Sequence, residues 1–230
     1  MRTYDQYCSV ARALDVIGDR WTLLIVRELL IRGACRYTDL QYGLPGIATN
    51  LLADRLRELE ATGLVVKEEV PPPIATTLFK LTPRGEALKD VIASLGRWGA
   101  PLLAGPTGDA AFRSHWLKFP LELHCSDHDP SAPPATIELR TGDGDVPMLL
   151  DVGGGNLSVH PGTTEHPDVT LTGTPSLILG LLVGALNIDT ARARGLEIEG
   201  DVNTIRRVQP LVAPTGTAQP AKTKRARSRR

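Results

Sequence analysis

Thr49, Asn50, Ala53, Asp54 and Arg57 carry the chemistry most suited to reading a partner, because they lie on or beside one side of a segment whose Leu52, Leu56 and Leu59 are spaced by four and three. Rotated by about 100° per residue, a helix with this pattern buries the leucines and turns the hydroxyl, amide, carboxylate and guanidinium groups outward. Such groups along the first turns of a helix match the hydrogen-bonding edges of bases in a major groove and the phosphates flanking it. Arg55 within the segment and Arg36, Thr38, Lys67 and Lys80 around it are candidates for further contacts of the same kind.

Other reactive side chains are sparser. Cys8 stands where a first helix would begin, and the free N–H groups and positive dipole end there would favour a thiolate. The plainer reading is a small, half-buried hydrophobe. Cys35 is the one cysteine near enough in sequence to act as its resolving partner. His124-Cys125 with Asp127 and His128 gathers soft and nitrogen donors, but a structural zinc site takes four ligands, usually from two clusters, and no second cluster follows. No metal site and no cofactor is expected. There is no glycine-rich phosphate loop after a strand and no Gly-x-Ser-x-Gly elbow, so enzyme activity is not expected.

The elements that must hold the reading residues are legible around them. Val10 to Ile17, Trp21 to Ile31 and Tyr37 to Tyr42 read as three helices. Pro45-Gly46 forms a turn before the reading helix, and Gly63 ends that helix ahead of the β-prone Leu64-Val65-Val66. Val65 to Val70 and Thr77 to Leu81 alternate as two strands joined at Pro71-Pro72-Pro73. From Pro83 helical spacing returns, and Leu88, Val91, Leu95, Trp98 and Leu102 form a stripe too apolar for a solvated terminal helix. A second copy of the chain is its expected cover.

These motifs resemble the HxlR family of bacterial transcription regulators, relatives of the MarR group. The resemblance runs through Tyr7-Cys8-Ser9-Val10, Gly18-Asp19-Arg20-Trp21-Thr22-Leu23-Leu24-Ile25, Arg36-Tyr37-Thr38-Asp39-Leu40, the reading helix, and Leu81-Thr82-Pro83-Arg84-Gly85. It implies a winged helix-turn-helix, a homodimer on two-fold operator DNA, the segment after the wing as dimer helix, and a sensing role for Cys8. Two departures stand out. Asn50 occupies a position where many members are basic, and the wing from Glu68 to Phe79 holds no Lys or Arg.

The chain of 230 residues carries 26 basic and 26 acidic groups, but they are unevenly placed. Residues 1–104 are balanced, residues 105–213 hold seven basic against fourteen acidic groups, and residues 214–230 are basic without an acid. The acidic middle should avoid DNA. The expected organisation is an α+β chain: a winged-helix and dimerisation domain at 1–104, a linker at 105–111, an α/β domain at 112–213, and a disordered basic tail at 214–230. No signal peptide or membrane-spanning run is apparent, which suits a cytoplasmic, nucleoid-associated protein, and three cysteines suit a reducing compartment.

In the second half, strands are expected at Leu117 to Leu123, Ala135 to Leu139, Pro147 to Val152, Asn156 to Val159 and Val169 to Thr172, mainly antiparallel. A helix from Ser176 to Leu186, a strand at Leu196 to Glu199 and a helix from Asp201 to Val212 complete it. The series Asp151-Val152, Leu157 to Gly162, Pro167 to Leu171 and Gly195 to Asp201 resembles the sterol-carrier-protein fold. That implies an apolar tunnel for lipid-like molecules, with Leu177, Leu181, Leu182, Gly184 and Leu186 as candidate lining. The plain alternative is that this all-apolar helix is core. Three functions follow: an operator-binding dimer modulated by an apolar small molecule, a thiol-based sensor acting through Cys8, and a lipid-like carrier or scaffold without specific DNA reading.

Overall fold

Two separate apolar cores organise the chain, one on either side of residue 104. The structure is a computed structural model that describes residues 3–71, 73, 75–103, 110–142 and 144–211. The expected linker lies largely, and the expected basic tail wholly, outside the described residues.

The first core is built by α1 (Ser9–Ile17), α2 (Thr22–Arg32), β1 (Cys35–Arg36), α3 (Tyr37–Tyr42), α4 (Thr49–Ala61), β2 (Val65–Val70), β3 (Thr76–Leu81), α5 (Pro83–Glu86) and α6 (Lys89–Gly99). Leu52, Leu56 and Leu59 of α4 are at most 2% exposed against Ile25, Val26 and Leu29 of α2, as their spacing requires. Gly63 ends α4 with φ +70°, a conformation a side chain would strain. The strands pair antiparallel in the order β1-β3-β2, with Val65 opposite Leu81 and Glu68 opposite Leu78. This is a winged helix-turn-helix with β2 and β3 as the wing.

The helix after the wing is interrupted, where the sequence predicts one continuous run. Thr82 caps α5 by accepting from the Gly85 N–H at 3.2 Å, and the chain turns at Ala87-Leu88 before α6 begins. A side chain at position 85 would meet the Leu64 carbonyl oxygen at 2.2 Å, so only glycine lets this turn sit on the wing.

The second core lies between a mixed sheet and helices. Its elements are a 3-10 turn (Ser114–Leu117), α7 (Lys118–His124), β4 (Ala135–Arg140), β5 (Met148–Gly153), β6 (Asn156–Pro161), β7 (Val169–Thr172), α8 (Pro175–Leu182), α9 (Ile188–Ala193), β8 (Glu197–Gly200) and α10 (Val202–Val208). The sheet order is β6-β5-β4-β7-β8, and β4 pairs parallel with β7 while the other pairs are antiparallel.

Three expectations are corrected here. The segment read as a strand at Leu117 to Leu123 is helical: its apparent alternation is overridden because Leu117, Leu121 and Cys125, at spacings of four, are all buried in the core. Pro120 falls in the first turn of α7, where no intrahelical donor is lost. The helix read from Ser176 to Leu186 stops at Leu182, because Gly184 takes φ +75° and reverses the chain. The final helix is also short, ending at Val208 rather than Val212. One helix was not anticipated, α9, which Asn187 caps by accepting from the Thr190 N–H at 2.8 Å.

Candidate nucleic-acid interface

The start of α4 is exposed and open to a polar partner. Its N-cap is Ala48, which has no side-chain oxygen to offer, and its first turn holds no acid. The first N–H groups of the helix are therefore left without a side-chain acceptor, at the positive end of the dipole. That end attracts a phosphate or another anion. Thr49, Asn50, Asp54 and Arg57 are exposed around it, with Ala53 half-buried beside them. Helix α3 fixes this end: Tyr37 Oη donates to the Thr49 carbonyl at 2.6 Å, and Gln41 Nε2 donates to Thr49 Oγ1 at 3.2 Å. Neither partner was singled out from sequence, since each acts through a residue eight or twelve positions away.

The cations are placed less uniformly than the sequence predicts. Arg55 turns back from the reading face and pairs with Asp19 at 2.6 Å and with Glu58, its side chain 18% exposed. The sequence places Arg55 among the DNA contacts; in the structure its Nη1 donates to both of these exposed carboxylates. Arg57 pairs with Asp54, Lys67 with Glu60 at 2.8 Å, and Lys80 with Glu68. Exposed pairs of this kind contribute only about 0–1 kcal/mol and can be exchanged for phosphate. Arg36 and Thr38 are exposed at the start of α3, where the Arg36 N–H donates to Asp39 Oδ2 at 2.9 Å.

Helix α6 and the turn after it leave Val91, Leu95, Trp98 and Leu102 between 44% and 75% exposed. Leu88 differs from the rest of the expected stripe and packs against its own winged-helix core. Cys8 is exposed at the N-cap of α1. Cys35 is buried on β1, and burial pushes its thiol up to about 12, so it is not a ready resolving thiolate. Among the described residues there is no cluster fit to hold a metal ion. Asp127 of the His124–His128 stretch instead receives Arg207 through both oxygens, at 2.7 and 2.9 Å, and that pairing holds its carboxyl well below the ordinary range.

The candidate ligand-lining leucines divide. Leu181 and Leu182 are fully buried core, and Leu177 and Leu186 pack partly against it. Gly184 and Leu186 border an open depression of about 460 Å³ together with Ile188, Arg192, Arg206 and Pro210. Helix α8 therefore buries Ile178, Leu181 and Leu182 in the core of the second domain.

A seam between the domains escaped the sequence reading. Glu28 of α2 has no solvent exposure, yet lies on the buried face three residues after Ile25. Arg27 and Arg32 donate to it at 2.7 and 3.2 Å from its own helix. From the second domain His115 Nε2 approaches it at 2.8 Å and Trp116 Nε1 donates at 2.7 Å. If Nε2–H donates to Glu28, Nδ1 of His115 is left to accept from Arg32 at 3.2 Å. Burial alone would raise the Glu28 pKa, but the His115 hydrogen bond and the Arg27 charge outweigh it, and the carboxyl sits below its ordinary value. A Cβ at position 43 would lie 1.9 Å from Glu28 Oε2, so a side chain there would displace this carboxylate. Arg27 stacks over Trp116 and Arg113 over Tyr42, each at 4.5 Å, while Tyr42 also donates to Asp145. The signal in the sequence was a lone carboxylate on an apolar helix face, flanked by Arg27 and Arg32.

Comparisons with known proteins agree with this architecture. Residues 16–105 match the HxlR-like helix-turn-helix family, and residues 131–213 match the SCP-2 sterol transfer family. The uncharacterized HTH-type transcriptional regulator YvaP of Bacillus subtilis is 32% identical over 87 residues, covering 38% of this chain and 80% of that protein. A second regulator of that organism, YtcD, is 34% identical over 104 residues, covering 44% and 79%. A MarR-family regulator of known structure from Porphyromonas gingivalis is 30% identical with a TM-score of 0.39, over 44% of this chain and 97% of that one. With four-fifths of YvaP spanned at this identity, and with an exposed reading helix and wing in place, the chain belongs to the HxlR-like helix-turn-helix family of transcriptional regulators and joins to it a second domain matching the SCP-2 family.

Proposed function

We propose that this regulator binds a two-fold operator as a homodimer, reading base edges with Thr49, Asn50 and Arg57 at the N-terminal half of α4. The observation that carries the reading is the uncapped, acid-free first turn of α4 surrounded by exposed polar side chains. Ala53 and Asp54 border the same surface, and Arg36, Thr38, Lys67 and Lys80 are the phosphate-side contacts. The wing from Glu68 to Phe79 adds no cation of its own. Val91, Leu95, Trp98 and Leu102 form the dimer contact, since an apolar strip this exposed is unfavourable in water and is self-complementary across a two-fold axis.

In this reading the second domain is the sensing part, taking an apolar small molecule and acting on the reading heads through the Glu28 seam. Its acidity keeps it away from the DNA backbone. The test is selection of bound duplexes from a randomised pool by the full chain. A pseudo-palindromic site is the expected product, and equal recovery of all sequences would favour a carrier or scaffold instead.

A further inference from the structure

The wall shared by the two domains contains a cleft of about 430 Å³. Its floor is aliphatic and aromatic: Leu29, Leu30 and Ile31 of α2, Leu81 of β3 and Phe119 of α7. Three lysines stand at it from three different elements, Lys80 on β3, Lys89 at the start of α6 and Lys118 at the start of α7. Among the described residues Lys80 is engaged by Glu68, whereas no carboxylate lies within ion-pair distance of Lys89 or Lys118. Two acids also line the cleft. Glu122 accepts from the Val159 N–H at 3.3 Å through one oxygen, and Glu86 lines the cleft from α5. The size falls within the range of about 300–1,000 Å³ usual for small-molecule sites, and an apolar floor beneath a few placed charges is the usual composition.

We propose that this inter-domain cleft, rather than the interior of the second domain, binds a single-chain amphiphilic anion, its chain against Leu30, Leu81 and Phe119 and its head between Lys89 and Lys118. The inference rests on the reading of the second domain as the sensing part. It locates the ligand where α2, the base of the wing, the start of the dimer helix and α7 all contribute to one wall. An apolar chain is held by burial, and a carboxylate head answers two ammonium groups that have no internal partner.

The experiment is calorimetric titration of the full-length protein with decanoate, with decanol and decyltrimethylammonium as neutral and cationic matches. Saturable decanoate binding is expected, at least ten-fold tighter than either match and weakened at least ten-fold in Lys89→Ala/Lys118→Ala. Lys89 is exposed and Lys118 half-buried, and circular dichroism checks that the variant is folded. A photoreactive diazirine analogue of decanoate should label residues 29–34 or 118–122. Labelling confined to 177–188, equal affinity for the three probes, or no saturable binding would each overturn the site. Operator binding by the same preparations separates the two failures: if it persists while decanoate does not bind, the regulator stands and only the cleft falls.

Discussion

Asn50 offers a donor and an acceptor on one rigid amide, the pair that adenine presents in the major groove, and it is exposed one residue into α4. Asn50→Ala should lower discrimination by about 1–3 kcal/mol at one operator position and leave the others unchanged, read as a binding profile over single-base variants. A uniform loss at every position would reassign it to phosphate contact. The thiols give a second expectation. A thiol reagent applied to the native protein should modify Cys8 and spare Cys35 and Cys125, which are buried with both thiols raised to about 12, as peptide mass mapping would check. An intramolecular Cys8–Cys35 disulfide formed without unfolding would contradict this. Asn50 was legible because helical period alone sets its direction. The fate of Arg55 was not, because its partner Asp19 lies 36 residues earlier, in the turn between α1 and α2.

At the scale of elements, α6 and its extension leave an exposed apolar strip that the proposed dimer would cover. Leu95, 49% exposed, contributes little to its own protomer, so Leu95→Asp should leave the fold intact and shift the chain toward monomer. Light scattering reads the mass, and operator binding should weaken with it, because a two-fold site then holds one head at a time. Elements with a strong period were readable from sequence: α4 from its leucines, and β2, β4, β5 and β7 from alternation between turn residues. Those decided by tertiary context were not. The segment at Lys118–His124 alternates like a strand yet winds into a helix so that Leu117 and Leu121 both reach the core. Helix α8 stops early for a backbone reason, the left-handed Gly184, which a run of apolar residues conceals.

At the scale of the whole molecule, Glu28 is a buried carboxylate on one domain whose donors come partly from the other. Trp116→Phe keeps the ring under Arg27 and removes one donor, and should cost about 1–3 kcal/mol in urea unfolding, with the two domains unfolding less cooperatively. The pH dependence has a definite sign. Glu28 and Asp127 both titrate below their ordinary values in the folded chain, so the stability they contribute is present above about pH 4–5 and is lost as acid protonates them. Thermal midpoints should be nearly flat from pH 7 to 5 and fall below about pH 4, with a shallower fall in Asp127→Asn. Only the lone carboxylate among the apolar positions of α2 was visible in sequence; its His115 partner, 87 residues away, was not. The central claim, a dimer reading DNA with two copies of α4, meets its most direct test in hydroxyl-radical footprinting of the full chain on its selected site. Two protected patches related by a two-fold axis and centred about one helical turn, roughly 34 Å, apart are the expected result. A single patch, or protection spread evenly along the duplex, would contradict it.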